Sequence, residues 1–200
     1  MSEKSLDEHA SNEATNVWRL DSEASTVAFK SRYALVLPVR GTFGAWSGLV
    51  RHDEQHPERS TIEVEIDTAS ISTGVRLRDW HLRTVQFFDV KRFPTMRFTS
   101  RHVEAQTDYQ AEIYGDLTIN GVTREVVLHA RRIESASDRQ IWSAAATLDR
   151  YAFRMTMGKI FEGFGTMVDN VVEVEISVVA DRLTATSART GSLIHGGSTK

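Results

Sequence analysis

Cysteine is absent, so disulfides, thiolate metal sites and cysteine nucleophiles are excluded, and the seven histidines and the carboxylates are the strong metal-ligand types that remain. Ser47 lies in Gly44-Ala45-Trp46-Ser47-Gly48, one place too late for a G-x-S-x-G elbow and in a hairpin-like strand rather than a strand-to-helix turn. Gly158-Lys159 is followed by Ile160 rather than Ser or Thr. Gly163-Phe164-Gly165 lacks the third glycine and preceding strand of a dinucleotide loop. His52 and His56 have the spacing of a helical ligand pair but flank a turn before Pro57, and they read as exposed turn histidines. The densest polar cluster is Arg78-Asp79-Trp80-His81-Leu82. Asp79 and His81 are of the right types for acid–base work, in an isomerase or hydrolase. No third group accompanies them, and Asp79 serves equally well by binding backbone N–H groups near a helix start, the reading we favour.

An apolar excess outside any regular pattern is more informative. Phe87, Phe88, Phe93, Met155, Met157, Phe161, Phe164 and Met167 fall between the periodic segments. Such side chains either plug one end of a small β structure or line the entrance of an apolar pocket, where Met supplies adaptable surface. Ala144, Ala145, Ala146 and Gly115 lower the side-chain volume within strand-like segments, which tilts the reading toward a pocket.

The elements that must position these residues have an apolar period of two. Ile62, Val64 and Ile66 alternate with Glu63, Glu65 and Asp67. Val172, Val174, Ile176 and Val178 alternate with Glu173, Glu175 and Ser177, and Ile113, Leu117 and Ile119 alternate with Glu112, Tyr114, Asp116 and Thr118. One face of each segment is then buried and one wet, as in antiparallel sheets. Asn120-Gly121 predicts a type I′ hairpin turn. Eight strands are expected, over 17–33, 39–51, 60–70, 94–104, 109–119, 122–133, 139–149 and 170–181. A short helix is expected within 76–88, and a long apolar connection over 151–169 precedes the last strand. A closed barrel would protect the strand edges; a two-sheet sandwich is the rival that periodicity leaves open.

The length of 200 residues favours one domain. We expect a disordered acidic tail over 1–16, a β domain over 17–182 and a flexible tail over 183–200. With the four acidic residues and one lysine of 1–16 set aside, 23 acidic and 23 basic residues remain. This balance argues against a nucleic-acid footprint and against simple electrostatic docking on anionic lipid. No apolar run of the length needed to span a bilayer as a helix occurs. The opening MSEKSLDEHASNEATN has no hydrophobic stretch, from which a cytoplasmic location is expected.

At this point the residues resemble a family, the YceI-like, lipocalin-type polyisoprenoid-binding proteins. The resemblance runs from about Trp18 to Asp181. It is carried by Trp18-Arg19-Leu20-Asp21, Gly41-Thr42-Phe43, Trp46-Ser47-Gly48, Ser70-Ile71-Ser72-Thr73-Gly74, Arg78-Asp79-Trp80-His81-Leu82, Phe87-Phe88-Asp89-Val90, Phe93-Pro94-Thr95 and Gly115-Asp116-Leu117-Thr118-Ile119-Asn120-Gly121-Val122-Thr123-Arg124. The resemblance implies an all-β, single eight-stranded antiparallel lipocalin-like barrel that holds a long isoprenoid or fatty chain, such as an isoprenoid quinone or prenyl chain, with no established catalysis; no cofactor or metal is expected. It recasts the RDWHL and FFDV segments as a short helix and loop beside the barrel. Departures fall at Ala152 and Arg154, where the family tends to show Asp and Gly. Many members look exported, whereas a cytoplasmic location is the expectation here.

On that reading the inward candidates are Phe29, Phe43, Val64, Ile66, Phe98, Ile113, Leu117, Val126, Trp142 and Ile176, with Phe87, Phe88, Phe161 and Phe164 near a mouth. A polar headgroup would meet an Arg or the Trp and Tyr set at the rim. A stress-response interaction protein with a vestigial cavity is a further reading, and exposed apolar loops leave a homodimer open.

Overall fold

A computed structural model describes residues 15–33, 37–155 and 170–183. The strands are β1 (Thr15–Tyr33), β2 (Leu37–Phe43), β3 (Trp46–Asp53), β4 (Thr61–Asp67), β5 (Ile71–Ser72), β6 (Thr95–Thr107), β7 (Gln110–Ile119), β8 (Val122–Ser135), β9 (Arg139–Asp149) and β10 (Val171–Arg182). One helix, α1 (Arg76–Leu82), lies between β5 and β6.

Every pairing is antiparallel, and β10 pairs back onto β1, so the sheet closes. The ten strands make eight staves. β2 pairs with Val27–Tyr33 of β1 while β3 pairs with Thr15–Arg19 of the same strand, so β2 and β3 lie end to end with Gly44-Ala45 as the break. β4 and β5 likewise continue each other, β4 along β3 and β5 along β2. Each stave therefore neighbours the next in sequence, the arrangement of an up-and-down barrel without free edges. This is the expected eight-stranded barrel, and the sandwich is excluded by the β1–β10 pairing. β1 starts at Thr15, within the segment expected as a tail.

The long β1 bends at its middle. Its register with β10 shifts between Asp21 and Thr26. There Asp21 Oδ1 accepts the N–H groups of Glu23 and Ala24 at 3.0 and 3.1 Å, and Ser25 Oγ accepts the Val179 N–H at 2.8 Å. Looped-out residues of this kind increase local twist and let one strand serve two halves of a curved sheet.

Alternation holds where it was read. β4 and the first eight residues of β10 alternate exposed and half-buried positions, with Val64 and Ile66 turned inward and Glu63 and Glu65 outward. The outer carboxylates meet arginines of adjacent strands, Glu63 with Arg51 at 3.2 Å and Glu65 with Arg97 at 2.9 Å. These exposed pairs add little stability each.

The two ends of the barrel differ. At one end lie α1, the Phe87–Pro94 segment, the β7–β8 turn and the turn after β9. At the other lie the β6–β7 and β8–β9 turns and the β3–β4 loop. Asn120 and Gly121 have φ of 53° and 68°, as the type I′ reading requires. Asn120 also does more than turn the chain. It is buried, and its amide donates to the Phe87 carbonyl and, at 3.3 Å, to the Phe153 carbonyl. The hairpin tip thus ties two loops across the α1 end. Gly121 is required for space as well as for φ, because a Cβ there would sit 2.8 Å from the Phe93 ring.

Two substitutions test this end of the fold. Asn120→Gly keeps the positive φ but removes both amide donations, and should lower stability by about 1–3 kcal/mol. A lower urea midpoint at unchanged m-value would show it. Arg154 has φ 59°, at the position where the resemblance expects glycine. Arg154→Gly should therefore raise the thermal midpoint, by relief of roughly 1 kcal/mol of backbone strain.

Candidate functional site

The inward faces of the staves enclose a cavity of about 820 Å³. It runs from Arg78, His81 and Leu82 on the inner side of α1 to Gln106, Thr107, Asp108 and Gln140 at the opposite end. In bulk liquid this volume corresponds to roughly 27 water molecules at ~30 Å³ each.

All ten residues expected to point inward line it. Phe29, Phe43, Val64, Ile66 and Phe98 line it from β1, β2, β4 and β6. Ile113, Leu117, Val126, Trp142 and Ile176 line it from β7, β8, β9 and β10. Phe161 and Phe164 lie outside the described residues. So do the Gly158-Lys159 and Gly163–Gly165 segments.

Phe87 and Phe88 also line the cavity, at the end that α1 covers. Each is 8% exposed, in one cluster with Phe153 and Met155 beneath the α1 end. Phe88 meets Phe43 edge-on, with ring centroids 5.7 Å apart, and Phe43 meets Phe29 at 5.8 Å. The strand wall therefore continues as aromatic surface into the covering loop. Plug and pocket lining, set as alternatives by the sequence, are the same side chains here.

Volume in the interior is distributed differently from expectation. Ala144 and Ala146 line the cavity and Ala145 is exposed, as alternation on β9 requires. Gly115, expected to leave room, does not: the Phe98 ring fills the hollow, and a Cβ on Gly115 would lie 2.5 Å from Phe98 Cζ. Gly41 receives the Phe29 ring in the same way, at 2.4 Å from such a Cβ. Inward glycines thus let aromatic rings lie flat against the wall instead of crossing the cavity.

Trp18, Leu20, Met96, Leu148 and Val174 line the cavity without having been named as site residues. Val174 belonged to a period-two run and was legible. Trp18 and Leu20 precede the β1 bulge, so their facing could not be carried over from Phe29. Arg150 is buried; its guanidinium donates to the Met155 carbonyl at 2.6 Å and the Tyr151 hydroxyl at 3.0 Å, and no linear pattern marks it as interior.

The polar candidates separate. Asp79 is buried and its carboxylate accepts the Thr73 backbone N–H at 2.8 Å and the Thr73 hydroxyl. Arg78 closes the same knot, from Nε to Thr73 Oγ1 at 2.8 Å and from Nη2 to the Thr73 carbonyl at 3.0 Å. His81 lies on the cavity and its Nε2 is 2.7 Å from Gln86 Oε1. The two side chains proposed for acid–base work therefore do not converge on one reacting atom, and Asp79 anchors the approach to α1. His52 corrects another expectation: it ends β3, lines the cavity and meets Ser60 Oγ at 3.0 Å, whereas His56 does lie in the turn, 3.3 Å from Glu58. Ser47 is exposed on the outer face of β3, opposite Glu65.

At the end opposite α1 the rim carries a cation on an aromatic ring. The Arg132 guanidinium lies 5.8 Å from the Trp142 ring centroid, and Trp142 Nε1 donates to Gln140 Oε1 at 2.9 Å. Displaced titrations lie elsewhere. Donation to the Glu112 carboxylate pushes the Tyr114 hydroxyl up to about 12 on the outer wall. The His56 backbone N–H, foremost, holds Asp53 below the usual carboxylate range in the β3–β4 loop.

Comparison with known proteins gives a consistent frame. A family model described as YceI-like domain matches residues 18–180. A UPF0312 protein of Pseudomonas savastanoi pv. phaseolicola is 36% identical over 110 residues, 55% of this chain and 57% of that protein's own length. The match thus spans little more than half of that relative. Among solved structures, Burkholderia cenocepacia BcnA superposes with a TM-score of 0.73 at 23% identity, covering 80% of this chain and 98% of its own. A polyisoprenoid binding domain from Saccharophagus degradans does so with 0.68 at 15% identity, covering 83% and 98%. At these identities the likeness is one of fold.

The ring-over-glycine packing is open to test. Gly115→Ala should destabilise the barrel by about 1–3 kcal/mol through overpacking. Adding Phe98→Leu should recover part of the loss in thermal unfolding, the remainder being the clash with the Thr99 carbonyl, 2.7 Å from the new Cβ. No recovery would show that the Phe98 ring does not occupy the hollow.

Proposed function

The chain belongs to the YceI-like family, and from that premise we propose that it is a non-catalytic carrier of one long apolar chain, such as a polyisoprenoid, an isoprenoid quinone tail or a fatty chain. The observation that carries this reading is the cavity itself. It is long, continuous and walled mainly by Phe, Val, Ile, Leu, Met and Ala side chains from all eight staves. The name of the Saccharophagus degradans domain, which shares the fold, supports the same cargo class.

The energetics suit a flexible hydrocarbon. Burial contributes roughly 0.8 kcal/mol per methylene. Twenty buried carbons gain on the order of 16 kcal/mol gross, against about 4–15 kcal/mol of lost translational and rotational freedom. Affinity then scales with the length of chain accommodated and needs few polar contacts. Such a site selects width and length rather than functional groups. A polar end group would lie at the rim opposite α1, where Arg132 over Trp142 offers a cation and an aromatic face. Asp79, the best-placed general acid or base in the sequence, is engaged with Thr73, and this favours carriage over chemistry.

Two measurements test the proposal. Gentle organic extraction of the purified full chain, followed by mass spectrometry, should release about one apolar chain per occupied barrel. Leu117→Trp, which adds bulk to the cavity wall, should lower retention of an added long-chain lipid by about tenfold, equivalent to the burial of two methylenes. Its circular dichroism should stay that of the wild type. Extracts that stay empty, together with a wild type that retains no added lipid, would overturn the carrier reading.

A further inference from the structure

The outer side of α1 and its flanks carries a second surface, unrelated to the cavity wall. α1 is two-faced: Arg78, His81 and Leu82 turn to the cavity, while Leu77 and Trp80 are 76% and 65% exposed. Val75 and Val85, on either side of the helix, are 48% and 71% exposed. Large apolar side chains at this exposure, grouped within eleven residues, form a patch rather than the scattered surface apolar residues of an ordinary domain.

The exposed charges beside the patch, Arg76, Lys91 and Arg92, are of one sign. Residues 75–92 hold Arg76, Arg78, Arg83, Lys91 and Arg92 against Asp79 and Asp89. Both acids are buried, Asp79 on Thr73 and Asp89 beside Arg92 at 3.8 Å. The guanidinium groups of Arg78 and Arg83 bond backbone carbonyls, of Thr73 and Ile71, and Arg83 Nε is buried, so both are engaged within the fold. Arg76 and Lys91 are exposed. An exposed Trp and Leu flanked by exposed Arg76, Lys91 and Arg92 has the chemistry of a segment that seats in the headgroup region of a bilayer, with the apolar side chains below and the cations among anionic lipid phosphates.

We infer that the α1 end of this barrel docks peripherally on an anionic lipid bilayer, with Trp80, Leu77, Val75 and Val85 entering the interface and Arg76 and Lys91 binding lipid phosphates. A protein partner would be served by apolar contact alone. The one-signed collar is what selects the anionic membrane over a second copy of this chain, whose α1 end carries the same positive charge. The orientation sets the helix that covers the cavity directly against the membrane.

The test uses the full chain and flotation with two kinds of vesicle, phosphatidylcholine alone and phosphatidylcholine with phosphatidylglycerol. The wild type should float with the anionic vesicles at low salt, lose this at high salt, and remain largely free with neutral ones. Leu77→Asp/Trp80→Glu and, separately, Arg76→Glu/Lys91→Glu should each weaken partitioning by about tenfold or more. All four side chains are exposed, and unchanged thermal midpoints would show that the fold is intact. Trp80→Phe should remove the fluorescence change that accompanies vesicle binding. A wild type that stays free with both vesicles overturns the inference, as do variants that float like wild type. Self-association that requires Trp80, without flotation, overturns it in favour of a second copy. The readout needs no cargo, so a barrel that floats but retains no lipid fails only as a carrier, and one that retains lipid but never floats fails only as a membrane-docking protein.

Discussion

The pairing of β10 with β1 is the constraint on which the rest depends. It converts a meander with two sticky edges into a surface with none, and it divides space into an inside and an outside. Eight staves give an interior at the boundary between one that side chains can fill and one that holds a single slender ligand. Which side of that boundary the barrel falls on is decided by side-chain volume. Here Ala144 and Ala146 on β9 and the inward glycines keep the centre clear, because the rings of Phe29 and Phe98 fold back over Gly41 and Gly115. The cavity is thus a consequence of closure plus a few small residues at facing positions, and it requires no specialised loop.

Closure alone would leave two open mouths. One is covered by chain that has no regular pattern: the Phe87–Phe88 segment, the turn at Arg150–Phe153 and α1. Their backbones bond mainly among themselves, as in Phe88 N–H to the Leu82 carbonyl at 3.0 Å and Met155 N–H to the Arg150 carbonyl at 3.1 Å, and single polar side chains pin them to their neighbours. Asn120 reaches the carbonyls of Phe87 and Phe153, Asp79 reaches Thr73, and Arg150 reaches Met155. Buried polar groups are placed where they satisfy loop backbone that would otherwise lose water without compensation. The polar residues that looked chemical in the sequence serve this purpose, which is why clusters such as RDWHL and the Asn-Gly turn invite either reading until partners are known.

The fold was largely legible because period two records which face of a strand is wet. From that signal came the inward sets on β4, β7 and β10, while the Asn120-Gly121 dipeptide marked the turn between β7 and β8. What period two does not record is which residue lies across the sheet. The breaks at Gly44-Ala45 and before Ile71, the shift at Asp21–Thr26, and the filling of Gly115 by Phe98 all depend on cross-strand neighbours. His52 was misplaced for a related reason: a strand end and a turn look alike in composition, and its partner Ser60 comes from the next stave. Arg154 is a local counterpart, since its positive φ is visible only in the folded backbone or through a family that tends to place glycine there.

Charge taught the opposite lesson about averaging. The balance of acidic and basic residues outside 1–16 argues against attraction to an anionic surface only if that surface senses the whole molecule. It does not. A strand such as β9 has 11 residues, so at ~3.3 Å per residue and a tilt of 35–45° the ends of the barrel stand roughly 25–30 Å apart. The Debye length at physiological ionic strength is about 8 Å. A membrane facing one end is therefore screened from the other by some three Debye lengths, and from most of the carboxylates on the side wall. What it senses is the local set around α1, where both acidic side chains are buried and Arg76 and Lys91 are exposed. Net charge sums over a distance that salt does not allow the field to cross, and for a barrel with unlike ends the quantity that governs association is the charge of each end taken by itself.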